Sequence, residues 1–176
     1  MGLRMVVAVL LCFAATPLNA QPSKMTDDQQ AWFYCLVSKK WCVAGSADKN
    51  THGEKLVAMV SANKPAHLHG HVSRVTIQIA CSDGKPVTML MTGREVDAGD
   101  IALRYRISPS GKVGAATASQ ASAGYFFEIK NASLLDDWRN GGKATVDLSF
   151  PSDPKPSTVE YDLTGMETAL KRLSCF

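Results

Sequence analysis

The sequence predicts a mainly β fold, an antiparallel β-sandwich or partly open barrel with two or three short covering helices. Three observations carry that expectation. Short segments of alternating apolar and polar residues recur along the chain, as strands with one buried face require. Gly- and Pro-containing turn sequences separate them at regular intervals. Apolar runs at helical spacing are few and short.

The first 20 residues have the three parts of an export signal: a basic start at Arg4, an apolar run from Met5 to Ala15, and a polar stretch ending Leu18-Asn19-Ala20. The run is too short to span a bilayer. Cleavage after Ala20 makes Gln21 the mature N-terminus, and residues 21–176 are expected to form one exported domain, periplasmic or secreted. Cys12 lies mid-run behind bulky Leu11, a poor setting for lipidation. Arg4 leaves with the leader, taking 19 basic residues to 18 against 16 acidic ones, a net charge of +2. That balance is no footprint for nucleic acid or an anionic membrane.

After Gln21–Lys24, Thr26-Asp27-Asp28-Gln29 has the form of a capping box, so a helix is expected from there towards Val37. This N-terminal segment, about 26–42, contains Cys35 and Cys42. Gly45 to Gly53 is polar and reads as a loop. Val72 to Cys81 is the most readable strand, with Val75, Ile77, Ile79 and Cys81 on an apolar face and Arg74, Thr76, Gln78 and Ala80 on a wet one. Ser82-Asp83-Gly84-Lys85 then turns the chain into Pro86 to Thr92, completing a hairpin. Further strands are expected at Leu56 to Ser61, Ile101 to Ile107, Tyr125 to Ile129, Ala144 to Phe150 and Thr158 to Leu163.

A helix near Ser133 carries Leu134, Leu135 and Trp138 towards the stop at Gly141-Gly142. Another begins at Thr164, three residues before Glu167 in a second capping box, with Met166, Ala169, Leu170 and Leu173 inward. Ser108 to Gly124, rich in Ser, Ala and Gly, reads as a long mobile connection.

The mature chain keeps Cys35, Cys42, Cys81 and Cys175, an even set that in an oxidising compartment implies two disulfides. Three pairings are open. The favoured one joins Cys35 to Cys42, a local pair, and Cys81 to Cys175, a strand to the C-terminus.

His67, His69 and His71 recur at every second residue, a spacing that places imidazoles around one metal ion, zinc or copper, if the segment is extended. Gly70 and Pro65 weaken the strand, and no Asp, Glu or Cys close by completes a closed site, so a polar loop is the plainer reading. Met89 and Met91 alternate similarly; thioethers bind reduced copper, but such alternation usually marks a core face.

No serine sits in a nucleophile elbow, and Cys81 reads as half of a disulfide rather than a thiolate, so no catalytic set emerges. The acidic pairs Asp27-Asp28 and Asp136-Asp137 suit helix starts. Asn131-Ala132-Ser133 matches a glycosylation acceptor, with helix capping the simpler role. Arg104 and Arg106 flank Tyr105 and can project together towards a carboxylate or phosphate. A solvated or internally paired strand face is the competing reading.

Several motifs in order resemble the VasI/TagO family, exported accessory proteins encoded with bacterial type VI secretion systems. They are Ile79-Ala80-Cys81-Ser82-Asp83-Gly84, Leu103-Arg104-Tyr105-Arg106-Ile107, Tyr161-Asp162-Leu163-Thr164-Gly165-Met166 with Ala169-Leu170, and the terminal Cys175-Phe176. The match runs from Val72 to the terminus. It departs from the family at Ser108, where an acidic residue is usual, and at Ala116–Ser119, where a preceding Trp is missing. The resemblance implies a non-enzymatic periplasmic protein with a protein partner in the envelope or secretion apparatus, Arg104, Tyr105 and Arg106 as contact residues, and adds support to the Cys81–Cys175 pairing. Leu163-Thr164-Gly165-Met166 also resembles the invasion-associated locus B proteins, a second exported β family. A secreted inhibitor of a lysozyme or protease is the alternative from another class, with Ser108–Gly124 as its plug.

Overall fold

The computed structural model describes residues 26–47, 54–68, 70–96, 99–122, 124–131 and 133–176. The expected leader and the segment up to residue 25 lie outside them. In chain order the elements are α1 (Asp27–Val37), β1 (Cys42–Ala47), β2 (Glu54–Ser61), β3 (Ala66–Leu68), β4 (His71–Ser73), β5 (Thr76–Ser82), β6 (Lys85–Met91), β7 (Ile101–Ser108), β8 (Val113–Ser122), β9 (Phe126–Ile129), α2 (Leu134–Arg139), β10 (Lys143–Ser149), β11 (Ser157–Asp162) and α3 (Met166–Leu170). The fold is mainly β, with strands β1-β2-β5-β6-β9-β8-β7-β10-β11 in one antiparallel sheet and β3-β4 in a small second one. The large sheet does not close, but it curls until Asn63 N donates to Glu160 O at 2.7 Å, tying β11 to the end of β2.

Alternation explains the core. In β7, Ile101, Leu103, Tyr105 and Ile107 are buried while Ala102, Arg104, Arg106 and Ser108 are exposed. Ala144, Val146 and Leu148 of β10, Val159 and Tyr161 of β11, and Ile77 and Ile79 of β5 join them inside. Helix α2 supplies Leu134, Leu135 and Trp138, and α3 with its tail supplies Met166, Ala169, Leu170 and Leu173. Trp138 stacks between Tyr105, edge-on at 6.1 Å, and Tyr161 at 5.7 Å. A smaller apolar layer lies on the other side of the sheet, where Trp32, Cys35 and Leu36 of α1 meet Ala44 and Met59.

The expected mobile connection at Ser108–Gly124 is instead strand β8, ten residues long and paired with both β7 and β9. Its small residues complement its large neighbours: Gly114 lies opposite Tyr105, Ala116 opposite Leu103 and Ala118 opposite Ile101. A Cβ on Gly114 would sit 2.3 Å from Tyr105 Cζ, so the missing side chain is the space the ring fills. The inhibitor reading loses its plug with this correction. The expected Gly45–Gly53 loop is shortened as well, because Gly45, Ser46 and Ala47 pair with β2; residues 48–53 lie outside the described ones.

Val72–Cys81 is broken into β4 and β5. At the break the backbone passes so close to Gly93 that a Cβ there would stand 2.6 Å from Arg74 O. The face of β5 expected to be wet is covered at its start. Thr76 and Gln78 are buried, and Ser61 links Thr76 Oγ1 (2.9 Å) to Leu36 O (2.6 Å) beneath α1.

Helix α1 carries the capping box read at Thr26 and Gln29. The one read at Thr164 does not form: Thr164 N donates to Asp162 Oδ1 at 2.9 Å, and α3 starts after Gly165, which takes φ 86°. The turn made by Asp162 moves the helix start beyond the residue whose hydroxyl would have capped it. Asn131 rather than Ser133 organises the start of α2, its Oδ1 accepting from both Ser133 N and Oγ at 2.9 Å.

Candidate binding face

Strand β7 lies between β8 and β10, so its outward side chains stand mid-face. Arg104 is opposite Ala115 on one side and Asp147 on the other; Arg106 is opposite Val113 and Thr145. Cross-strand partners share a face, which sets both guanidiniums beside small or short neighbours. The shallow cavity between them, about 280 Å³, is lined by Arg104, Arg106, Val113, Thr145 and Asp147, with the Tyr105 segment in its floor. Asp147 Oδ1 is already engaged, accepting from Thr158 Oγ1 at 2.5 Å. Lys143 and Glu160 face each other at 3.5 Å. Among the described residues the side chains of Arg104 and Arg106, on a strand laddered on both sides, make no ion pair or hydrogen bond, so two planar, permanently charged forks face outward unpaired.

Tyr105 faces the opposite way. Only 2% exposed, it donates its hydroxyl to Asp137 Oδ2 at 2.7 Å. It is a positioning residue for the strand, not a contact residue on the face. Asp137 also holds Lys112 Nζ at 2.5 Å, with its own side chain 8% exposed. The sequence assigns Asp137 only a helix-dipole role; its place under Tyr105 depends on a contact 32 residues away, which periodicity does not show.

Burial and the Asp137 bond push the Tyr105 phenol up to about 12. The Lys112 bond first, then the Tyr105 bond, holds the Asp137 carboxyl below its ordinary value. A carboxyl depressed in the folded state contributes stability above its unfolded pKa and loses it as pH falls through the folded one. Melting temperature should therefore fall as pH drops below the ordinary value of 3.8, and Asp137→Asn should flatten that acid limb. Thermal melts from neutral pH to about pH 2 check this; parallel acid limbs in both proteins would remove Asp137 as a contributor.

The histidines do not share one straight strand. Leu68 pairs with His71 and His67 with Val72, so β3 and β4 form a hairpin with Gly70 at φ 72° in its turn. That register sets His67 and His71, both exposed, on opposite faces of the ribbon; His69 lies outside the described residues. No group of three His, Cys, Asp or Glu suited to a metal occurs among the described residues. Met89 and Met91 lie half-buried on β6, Met91 Sδ accepting from Gln78 Nε2 at 3.4 Å. Cys35 is bonded to Cys42 and Cys81 to Cys175, with Cα separations of 5.5 and 5.7 Å.

No family model matches the chain, and no curated protein matches it. Among solved structures the chain is similar to the crystal structure of invasion associated protein B from Bartonella henselae, at 13% identity and a TM-score of 0.47, over 74% of this chain and 89% of that one. A similarity of that degree fixes neither a family nor an activity. No helix among the described residues is long and apolar enough to cross a membrane.

Proposed function

We propose that this chain is a non-enzymatic accessory protein of the bacterial envelope, periplasmic or secreted, which binds a protein of the envelope or of a type VI secretion apparatus through the face around Arg104 and Arg106. The observation that carries the reading is the pair of exposed guanidiniums, unpaired among the described residues, on a strand whose own inward residue is locked to α2. Leaving two such forks open on a rigid sheet suits recognition of a carboxylate on a partner, because a bidentate pair adds geometry to charge. The association with type VI secretion rests on the order of motifs from Val72 to Phe176.

Crosslinking in the native cell and purification of the chain should recover a discrete partner. The double variant Arg104→Glu, Arg106→Glu should weaken its capture at least tenfold, roughly 1.4 kcal/mol, with stability unchanged to within about 0.5 kcal/mol because both side chains are on the surface. Undiminished capture by that variant would dismiss the face as the contact. Separately, secretion and interbacterial killing that persist after gene deletion would dismiss the link to that apparatus.

A further inference from the structure

The two ends of the nine-stranded sheet are treated differently. The free side of β11 is guarded: Glu160 O accepts from Asn63 N, and Ser157 Oγ donates to His67 O. The far side of β1 meets no other strand and no side-chain hydrogen bond among the described residues. An antiparallel ladder uses every second residue for each neighbour, so β1 turns a row of N–H and C=O groups outward. Such edges are usually blunted by lysine, proline or a bulge. Cys42–Ala47 contains no charge and no proline and pairs with β2 without a register shift.

Helix α1 lies over β1 and β2, anchored by the Cys35–Cys42 bridge. Leu36 O receives Ser61 Oγ and Arg74 Nη1, which directs the Leu36 side of the helix towards β2 and β5. By helical phase the other side, next to Cys35, carries Ala31 and Tyr34 towards the β1 edge. Tyr34 is 66% exposed. Asp27 at the start of the helix and Lys39 and Lys40 beyond its end are also exposed, with no ion pair among the described residues.

We propose that β1 and the neighbouring flank of α1 form the contact between two copies of this chain, β1 pairing antiparallel with its counterpart about a two-fold axis. That axis, perpendicular to the sheet, keeps both α1 helices on one face and runs them antiparallel. Strands in a sheet are about 4.8 Å apart; a helix seated over β1 and β2 then stands about 10 Å from its mate, within reach of the usual 8–10 Å helix packing distance. The antiparallel arrangement sets Asp27 of one copy towards Lys39 and Lys40 of the other, twice. The charges at the two ends of α1 complement each other, and that self-complementarity selects a second copy over a foreign strand.

Sedimentation of the exported protein from micromolar to millimolar concentration should show a reversible dimer. Hydrogen exchange should slow at β1 amides as concentration rises. Lys39→Glu with Lys40→Glu should weaken the dimer at least tenfold, and adding Asp27→Lys should recover it. A monomer throughout, β1 exchange independent of concentration, or a loss that Asp27→Lys does not recover would each overturn the proposal.

Discussion

Replacing Trp138 by alanine should lower the unfolding free energy by about 3–5 kcal/mol, the range for removing a large aromatic from a close-packed interior. The site has little freedom to collapse. Trp138 is fully buried, and the aromatic rings it separates come from different strands, Tyr105 of β7 and Tyr161 of β11. Its indole N–H has no hydrogen-bond partner among the described residues, so the loss is one of packing. Helix α2 has six residues, too few to persist alone, and is held by Leu134, Leu135 and Trp138. The truncation should therefore also loosen Asp137 from the Tyr105 hydroxyl. Urea unfolding followed by near-ultraviolet circular dichroism reads both effects, with Trp138→Phe recovering part of the loss. A variant within about 1 kcal/mol of the parent would mean that the cavity closes, and that α2 does not depend on this ring.

What the sequence made legible follows from how far each signal reaches. β7 announces itself because its alternation is complete over Ile101–Ser108, and β10 and β11 do so for the same reason. The antiparallel arrangement and the covering helices follow from turns and short apolar stripes. β8 was illegible because its information lies in its neighbour: Gly114, Ala116 and Ala118 look empty until Tyr105, Leu103 and Ile101 are set opposite them. Likewise Thr76 reads as a wet residue until Ser61 ties its hydroxyl to Leu36 O of α1, forty positions earlier. The hairpin at Ala66–Ser73 was hidden by histidine spacing that fits an extended strand as well as two short ones.

The candidate face divides in the same way. Outward projection of Arg104 and Arg106 follows from period two alone. That Tyr105 between them turns inward follows from it too, and its adjacency in sequence is no reason to group it with the arginines. The partners of that turn, Asp137 and Lys112, come from α2 and the β7–β8 connection and are visible only in three dimensions. The charged face therefore rests on a buried aromatic and ionic support that no local motif records.

Removing the Cys81–Cys175 bridge should cost on the order of 4 kcal/mol, against about 2 kcal/mol for Cys35–Cys42, because the loop-entropy contribution grows with the closed segment: the separations are 94 and 7 residues. Packing around the tail gives the first value a local reason. On one side of the tail, Leu56, Val57, Ala80 and Cys81 with Lys171–Ser174 line a cavity of about 460 Å³. On the other, Pro86, Arg139, Leu170 and Phe176 border one of about 430 Å³. The last residues thus lie between two clefts; Cys175 N donates to the bridge's own Cys81 Sγ at 3.0 Å, and besides the bridge the tail is held by Leu173 in the core and by Arg139 over the Phe176 ring at 5.0 Å. The double variant Cys81→Ala, Cys175→Ala should lower the melting temperature by on the order of 10 °C and speed hydrogen exchange first in α3 and the tail. Cys35→Ala, Cys42→Ala should move it about half as far, with exchange rising in α1 instead. Equal shifts for the two variants, or exchange in α3 unchanged when Cys81 and Cys175 are gone, would show that the inward residues Met166, Ala169, Leu170 and Leu173 hold the C-terminal segment without the bridge.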